Sequence, residues 1–181
     1  VAIVSAEQVD ADFHARYSAL AKRYRYTVLI SDVRSPLSGR TSWHLKKALD
    51  VEAMRNAAYL LVGKHDFAAF RSSGCDAQTT VRELFSIEIK KHGRMLHFDI
   101  VGSGFLRNMV RVIVGTLVEI GSGKRSPDAI SELLMTGDRE LSGVTAPPQG
   151  LCLMQVWYDG EPVDWLASLK PCKSCEKSLD K

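Results

Sequence analysis

Arg111 stands in the longest apolar stretch of the chain, flanked by Met109-Val110 and Val112-Ile113. Read as one helix over residues 105–120, that stretch is apolar nearly all round, so it is expected to be largely buried. A guanidinium in such a place is costly to bury unless a carboxylate or phosphate meets it. Arg111 therefore asks for an anion. One source is a structural carboxylate on a neighbouring strand, such as Asp99; the other is an anion from outside. Arg107 one turn earlier and Gly115 one turn later would give the same face a second cation and a point of close approach.

A second group of candidates is the run Lys22-Arg23-Tyr24-Arg25-Tyr26. In a strand, Tyr24 and Tyr26 fall on one side and Arg23 and Arg25 on the other. Aromatics interleaved with cations suit unpaired bases and phosphates, and each stacked base contributes about 1–3 kcal/mol. The same run also fits an ordinary strand with a solvated basic edge. Further basic residues lie between Arg34 and Lys47 and around Arg107, and the formal net charge of +3 hints weakly at a polyanionic partner.

Other patterns fail on their chemistry. His14, His44, His65, His92 and His97 show no close metal spacing, and Cys172-Lys173-Ser174-Cys175 is a CxxC without the second pair that zinc requires. Cys75 and Cys152 read as reduced thiols. Gly39-Arg40-Thr41-Ser42 has a serine where a catalytic loop would need a carboxylate, and Gly102-Ser103-Gly104 is too short for a nucleotide-binding loop. No metal and no cofactor is expected.

The elements that must position these residues follow from periodicity. The 181 residues fit one domain. No apolar run reaches the roughly 18 residues that span a bilayer. The opening Val1-Ala2-Ile3-Val4 has neither Met nor a basic leader, which reads as a chain without a signal peptide, either processed or cut from something longer. Alternation predicts a strand from Arg23 to Ile30 and a loop over 31–48. Asp50 caps a helix that runs to Gly63, and a helical turn covers 66–70. Residues 81–91 and 95–101 form a hairpin around His92-Gly93-Arg94. Helices follow over 105–120 and from Ser126-Pro127 to Leu134, then a turn at 147–150 and a last strand over 151–158. This order predicts an α+β fold, a mixed, mainly antiparallel sheet with helices packed on one face.

Five short motifs then fall in a recognisable order. They are Phe13-His14-Ala15-Arg16 with Ala19 and Arg23-Tyr24-Arg25-Tyr26; Gly63, Asp66-Phe67 and Phe70; Thr80-Val81-Arg82; Gly104-Phe105-Leu106-Arg107-Asn108-Met109-Val110-Arg111 with Gly115; and Ala146-Pro147-Pro148-Gln149-Gly150-Leu151. Across residues 13–158 they resemble the second half of TruA-type tRNA pseudouridine synthases. The resemblance implies that 1–160 is the C-terminal portion of such a catalytic domain and 161–181 a polar tail. It also implies a homodimer acting on uridines of the tRNA anticodon stem-loop, cytoplasmic or organellar, without cofactor or metal.

Carried over by position, Tyr24 matches the tyrosine that packs on the target uracil and helps move a proton at carbon 5. Arg111 matches the arginine that pairs with the catalytic aspartate. Arg107, Lys22, Arg23 and Arg25 fit contacts to the RNA backbone, while Phe70 and Arg82 read as structural. The family's aspartate sits in a Gly-Arg-Thr-Asp-type loop upstream of the tyrosine block. Gly39-Arg40-Thr41-Ser42 lies downstream of it and ends in Ser, so this chain alone is expected to be inactive. Two other readings stand beside the enzyme: an inert RNA-binding domain of the same fold, and an α+β protein that uses no RNA and pairs Arg111 with its own carboxylate.

Overall fold

A computed structural model describes residues 2–75 and 77–158. The CxxC at Cys172 and Cys175 and the tail expected over 161–181 lie outside the described residues. The sheet is built on β1 (Ala21–Ile30), which pairs antiparallel along one edge with β5 (Met95–Gly102). Its other edge is shared: β6 (Leu151–Trp157) runs antiparallel beside Ala21 to Tyr26, and the short β2 (Trp43–Leu45) runs parallel beside Val28 to Ile30. Beyond β5 come β4 (Val81–His92) and β3 (Gly63–Asp66), both antiparallel to their neighbours. The sheet is thus mixed and mainly antiparallel, as expected.

Alternation decides what faces the helices. Tyr26, Val28, Leu96, Phe98, Ile100 and Ile89 are buried in the main core with Met54, Ala57 and Ala58 of α1 (Val51–Tyr59) and Val112, Ile113, Val114 and Leu117 of α2 (Met109–Gly121). Ile130 and Leu133 of α3 (Ala129–Thr136) join the same core. Asp50 caps α1 as expected, accepting from the Ala53 N–H at 3.0 Å. The hairpin turns at Gly93, whose φ of 58° suits glycine.

Several expectations are corrected. The segment read as a plain loop over 31–48 contains β2; the first helix ends at Tyr59 rather than at Gly63, and Gly63–Asp66, where no strand was expected, form β3. At three and four residues both strands are too short for periodicity to reveal; pairing with β1 and β4 makes them strands. The main apolar helix begins at Met109, not at 105, because residues 105–108 form a loop and Asn108 takes φ 60°. Arg111 is consequently the third residue of α2, half-buried in its first turn rather than central. Similarly α3 starts after Asp128, not at Ser126-Pro127, and ends at Gly137 with φ 67°.

Between α3 and β6 the chain lies flat on its neighbours. A Cβ at Gly115 would stand 1.7 Å from the Val144 carbonyl oxygen, and one at Gly143 would stand 2.6 Å from Thr116 Cα. A Cβ at Gly150 would fall 2.6 Å from Tyr26 Cζ. Thr116 Oγ1 accepts from the Gly143 N–H at 3.0 Å, and Glu119 Oε1 from the Val144 N–H at 3.1 Å. Replacing Gly115 with Ala is expected to destabilise the fold by about 3 kcal/mol, since the clash is with backbone that has no rotamer to give. Urea unfolding of the two proteins side by side checks it; a loss under about 1 kcal/mol would mean that the strap lifts off the helix easily.

Candidate functional site

Tyr24 leads from the sheet into the site. Its neighbour Tyr26 is fully buried, with its hydroxyl donating to the Pro147 carbonyl at 2.7 Å, whereas Tyr24, two residues nearer the strand's start, is only half-buried. The Tyr24 ring meets Phe105 edge-on at 5.1 Å between centroids. Phe105 is held where Gly102 leaves room, since a Cβ there would fall 3.3 Å from Phe105 Cζ. Burial raises the Tyr24 phenol above its ordinary pKa, so it is protonated at neutral pH.

Together these rings wall a cleft of about 990 Å³, whose other sides are Arg16 and Tyr17, the segment around Cys75 and Gln78, Arg82, and the loop Leu106–Arg107–Asn108. Arg107 Nη1 donates to the Gly74 carbonyl at 2.9 Å, and Arg82 Nη1 donates to the carbonyls of Thr79 and Val81 at 2.9 and 2.6 Å. Neither arginine, nor Arg16, forms a salt bridge among the described residues. The backbone N–H groups of Arg107 and Ala77 hold the Cys75 thiol below its ordinary range, outweighing burial, and the charges of Arg71 and Arg82 add lesser effects in the same direction. Every charged side chain on the cleft wall among the described residues is therefore a cation.

Arg111 is not among the residues that wall the cleft, although Asn108 and Val110 beside it are. Its Nε donates to the Ala146 carbonyl at 2.6 Å and its Nη1 to Asn108 Oδ1 at 2.9 Å. Its charge also reaches the Tyr26 hydroxyl: burial pushes that phenol far up, and Arg111 draws it partly back. No carboxylate pairs with Arg111 among the described residues. Asp99, the internal partner considered from sequence, is taken: it accepts from Arg25 at 2.9 Å and from Arg23 at 3.1 Å, on the sheet face away from the helices.

Of the expected site residues, Tyr24 and Arg107 thus come together on the cleft and Arg111 stands next to it. Arg23 and Arg25 turn to the opposite face, where Asp99 occupies them. Lys22 shares the Tyr24 face by alternation but does not reach the cleft wall. Arg82, read as structural, lines the cleft, while Phe70 is fully buried in the core. Sequence reasoning missed Asn108, for which a signal existed: an Asn just before an apolar helix marks a helix start. Ser42 is buried, with its hydroxyl donating to the Ser38 carbonyl at 2.7 Å, a purely local bond.

Among the described residues no three His, Cys, Asp or Glu side chains converge on a point where they could hold a metal, and no helix is long and apolar enough to cross a membrane. The profile of a family described as tRNA pseudouridine synthase matches residues 57–159. The chain is 58% identical over 158 residues to tRNA pseudouridine synthase A of Syntrophotalea carbinolica, covering 87% of this chain and 63% of that protein. Against the protein of the same name from Geobacter sp. strain M21 it is 56% identical over 159 residues, 87% of this chain and 64% of the relative. With that of Acetivibrio thermocellus the identity is 44% over 158 residues, again 87% of this chain and 65% of the relative. The chain spans just under two thirds of the length of these relatives.

The Asp99 cluster makes a pH-dependent contribution whose sign is fixed. Burial alone would raise the Asp99 carboxyl, but hydrogen bonds from Arg25 and Arg23 and their charges outweigh it and hold the carboxyl below its ordinary value. A depressed carboxylate stabilises the fold above its unfolded pKa of about 3.9, and that contribution is lost as pH falls through the folded value. Asp99→Asn is accordingly expected to destabilise by a constant amount above pH of about 5, and the gap to the parent should narrow below pH of about 4. Urea titrations from acid to neutral pH check this; a gap that widens on acidification would contradict the assignment.

Proposed function

The chain belongs to the tRNA pseudouridine synthase family, and from that premise we propose that it forms the part of a uridine-isomerising enzyme that receives the nucleophile. The observation that carries this is Arg111. A guanidinium held on two sides by uncharged acceptors, with no carboxylate among the described residues, has charge left for an anion from outside them. An aspartate paired with it stays ionised, as a nucleophile must.

The target uridine leaves its stem and enters the cleft, whose about 990 Å³ lies in the range that holds a molecule of nucleotide size. The aspartate attacks the ribose carbon as its bond to the uracil nitrogen breaks, the base turns over, and carbon 5 bonds to that ribose carbon as the aspartate leaves. The proton displaced from carbon 5 is balanced by one gained at the freed ring nitrogen. Tyr24 stacks on the base while it turns. Because its phenol is protonated at neutral pH, it takes the carbon 5 proton only as it hands its own on. Arg107, Arg82 and Arg16 line the path of the RNA backbone. Lys22 lies on the same face, whereas Arg23 and Arg25 serve the sheet through Asp99. The reading carries with it action on the tRNA anticodon stem-loop, as a homodimer in the cytoplasm.

In the complete enzyme that contains this chain, Tyr24→Phe is expected to lower turnover by about 10² or more while tRNA affinity changes by less than about twofold. Equal losses in both would count against a role in proton movement. Arg111→Met is expected to abolish pseudouridine formation in a tritium-release assay. A variant that still turns over would sink the pairing with the nucleophile, and a parent protein that binds tRNA without converting it would favour the inert RNA-binding reading.

A further inference from the structure

Asn108 is the one non-glycine residue with positive φ among the described residues, at φ 60° and ψ 5°. An L side chain adopts this conformation only at a cost, and one that persists is held in place by its surroundings. Asn108 also occupies the cap position of α2, where an Asn ordinarily bonds the free N–H groups of the first turn. It makes no such bond. Its side chain is engaged elsewhere: Oδ1 accepts from Arg111 Nη1 at 2.9 Å, and Nδ2 donates to Ser72 Oγ at 3.2 Å. The orientation of the amide is dictated by chemistry, because a guanidinium has only donors and so requires the amide oxygen.

Ser72 is fixed in turn, its N–H donating to the Arg107 carbonyl at 3.2 Å. Arg111 is therefore gripped from two directions, by the strap through Ala146 and by the loop before α2 through Asn108. Both grips use neutral oxygens, which orient the guanidinium without consuming its charge. We infer that Asn108 is a positioning residue: it gives up helix capping and accepts a strained backbone in order to aim the free edge of Arg111 at the nucleophilic carboxylate. This rests on the reading of Arg111 given above.

Two substitutions separate aiming from folding. Asn108→Gly keeps the left-handed backbone without strain and removes only the amide. Asn108→Asp keeps an acceptor but hands Arg111 a carboxylate of its own. In the complete enzyme, Asn108→Gly is expected to lower kcat about 10²-fold, the scale of a misplaced catalytic group, with KM for tRNA changed by less than about twofold. Nitrogen-15 spectra should show the separate Nη signals of Arg111 in the parent merging as the side chain begins to rotate. Asn108→Asp should lower kcat further while those signals stay separate.

Wild-type kcat in Asn108→Gly, or a loss of kcat with the Arg111 signals unchanged, would overturn the inference. Should Asn108→Gly fail to fold, Asn108→Asp folded and fully active overturns it equally. If Arg111→Met keeps its turnover, the underlying reading fails. If Arg111→Met is dead and Asn108→Gly is fully active, only the role of Asn108 fails.

Discussion

The structure depends on backbone lying against backbone where the segment 143–150 crosses α2 and β1. Val144 occupies the space that a side chain at Gly115 would need, Gly143 rests on Thr116, and Gly150 rests on the ring of Tyr26. Contacts this close leave no gap for water, and interiors packed at that density transmit displacement rather than absorb it. Through this strap Ala146 exchanges two bonds with Arg111, backbone N–H to carbonyl at 3.1 Å and carbonyl to Nε at 2.6 Å. Pro147 takes the Tyr26 hydroxyl. The charge of the site and the strand that presents its tyrosine are thus located by the same stretch of chain.

Strand β1 divides its work by face. Tyr24 and Tyr26 turn towards the helices, where one ring ends in the cleft and the other in the core. Arg23 and Arg25 turn away and converge on one buried carboxylate, Asp99, which is only 3% exposed. Two cations on one anion leave a net positive charge on that face, although neither arginine reaches the cleft. Cationic side chains there come instead from loops and strand starts: Arg16, Arg82 and Arg107. A basic run in the sequence and a basic surface at the site are, in this fold, different residues.

What was legible followed from local rules. Alternation located β1, the β4–β5 hairpin and β6, and the capping carboxylate of Asp50 located the start of α1. That Arg111 needs polar partners was legible too, because burial of charge is a local argument. The identity of its neighbours was not: Asp99 lies on the sheet face away from the helices and is already occupied by Arg23 and Arg25, while the true partners are the neutral oxygens of Asn108 and Ala146. The start of α2 was misplaced because Phe105 and Leu106 are as apolar as a helix interior. Phe105 spends that character on Tyr24, and only the left-handed Asn108 marks where the coil ends. Strands β2 and β3 owe their existence to pairing with β1 and β4, which periodicity within the strand itself does not see.

Strand β1 shares one edge between β2 and β6, and this has a consequence for how the molecule assembles. The bond from Tyr26 to Pro147 closes a loop of 121 residues, and the pairing of β6 with the start of β1 closes a longer one. Closures of that span raise contact order and come late in folding, after the hairpin and the neighbouring helices have formed. Until β6 docks, the edge of β1 beside Tyr24 is an open ladder, able to pair with a foreign strand. During synthesis the wall of the cleft therefore cannot be completed until the residues that form β6 have left the ribosome.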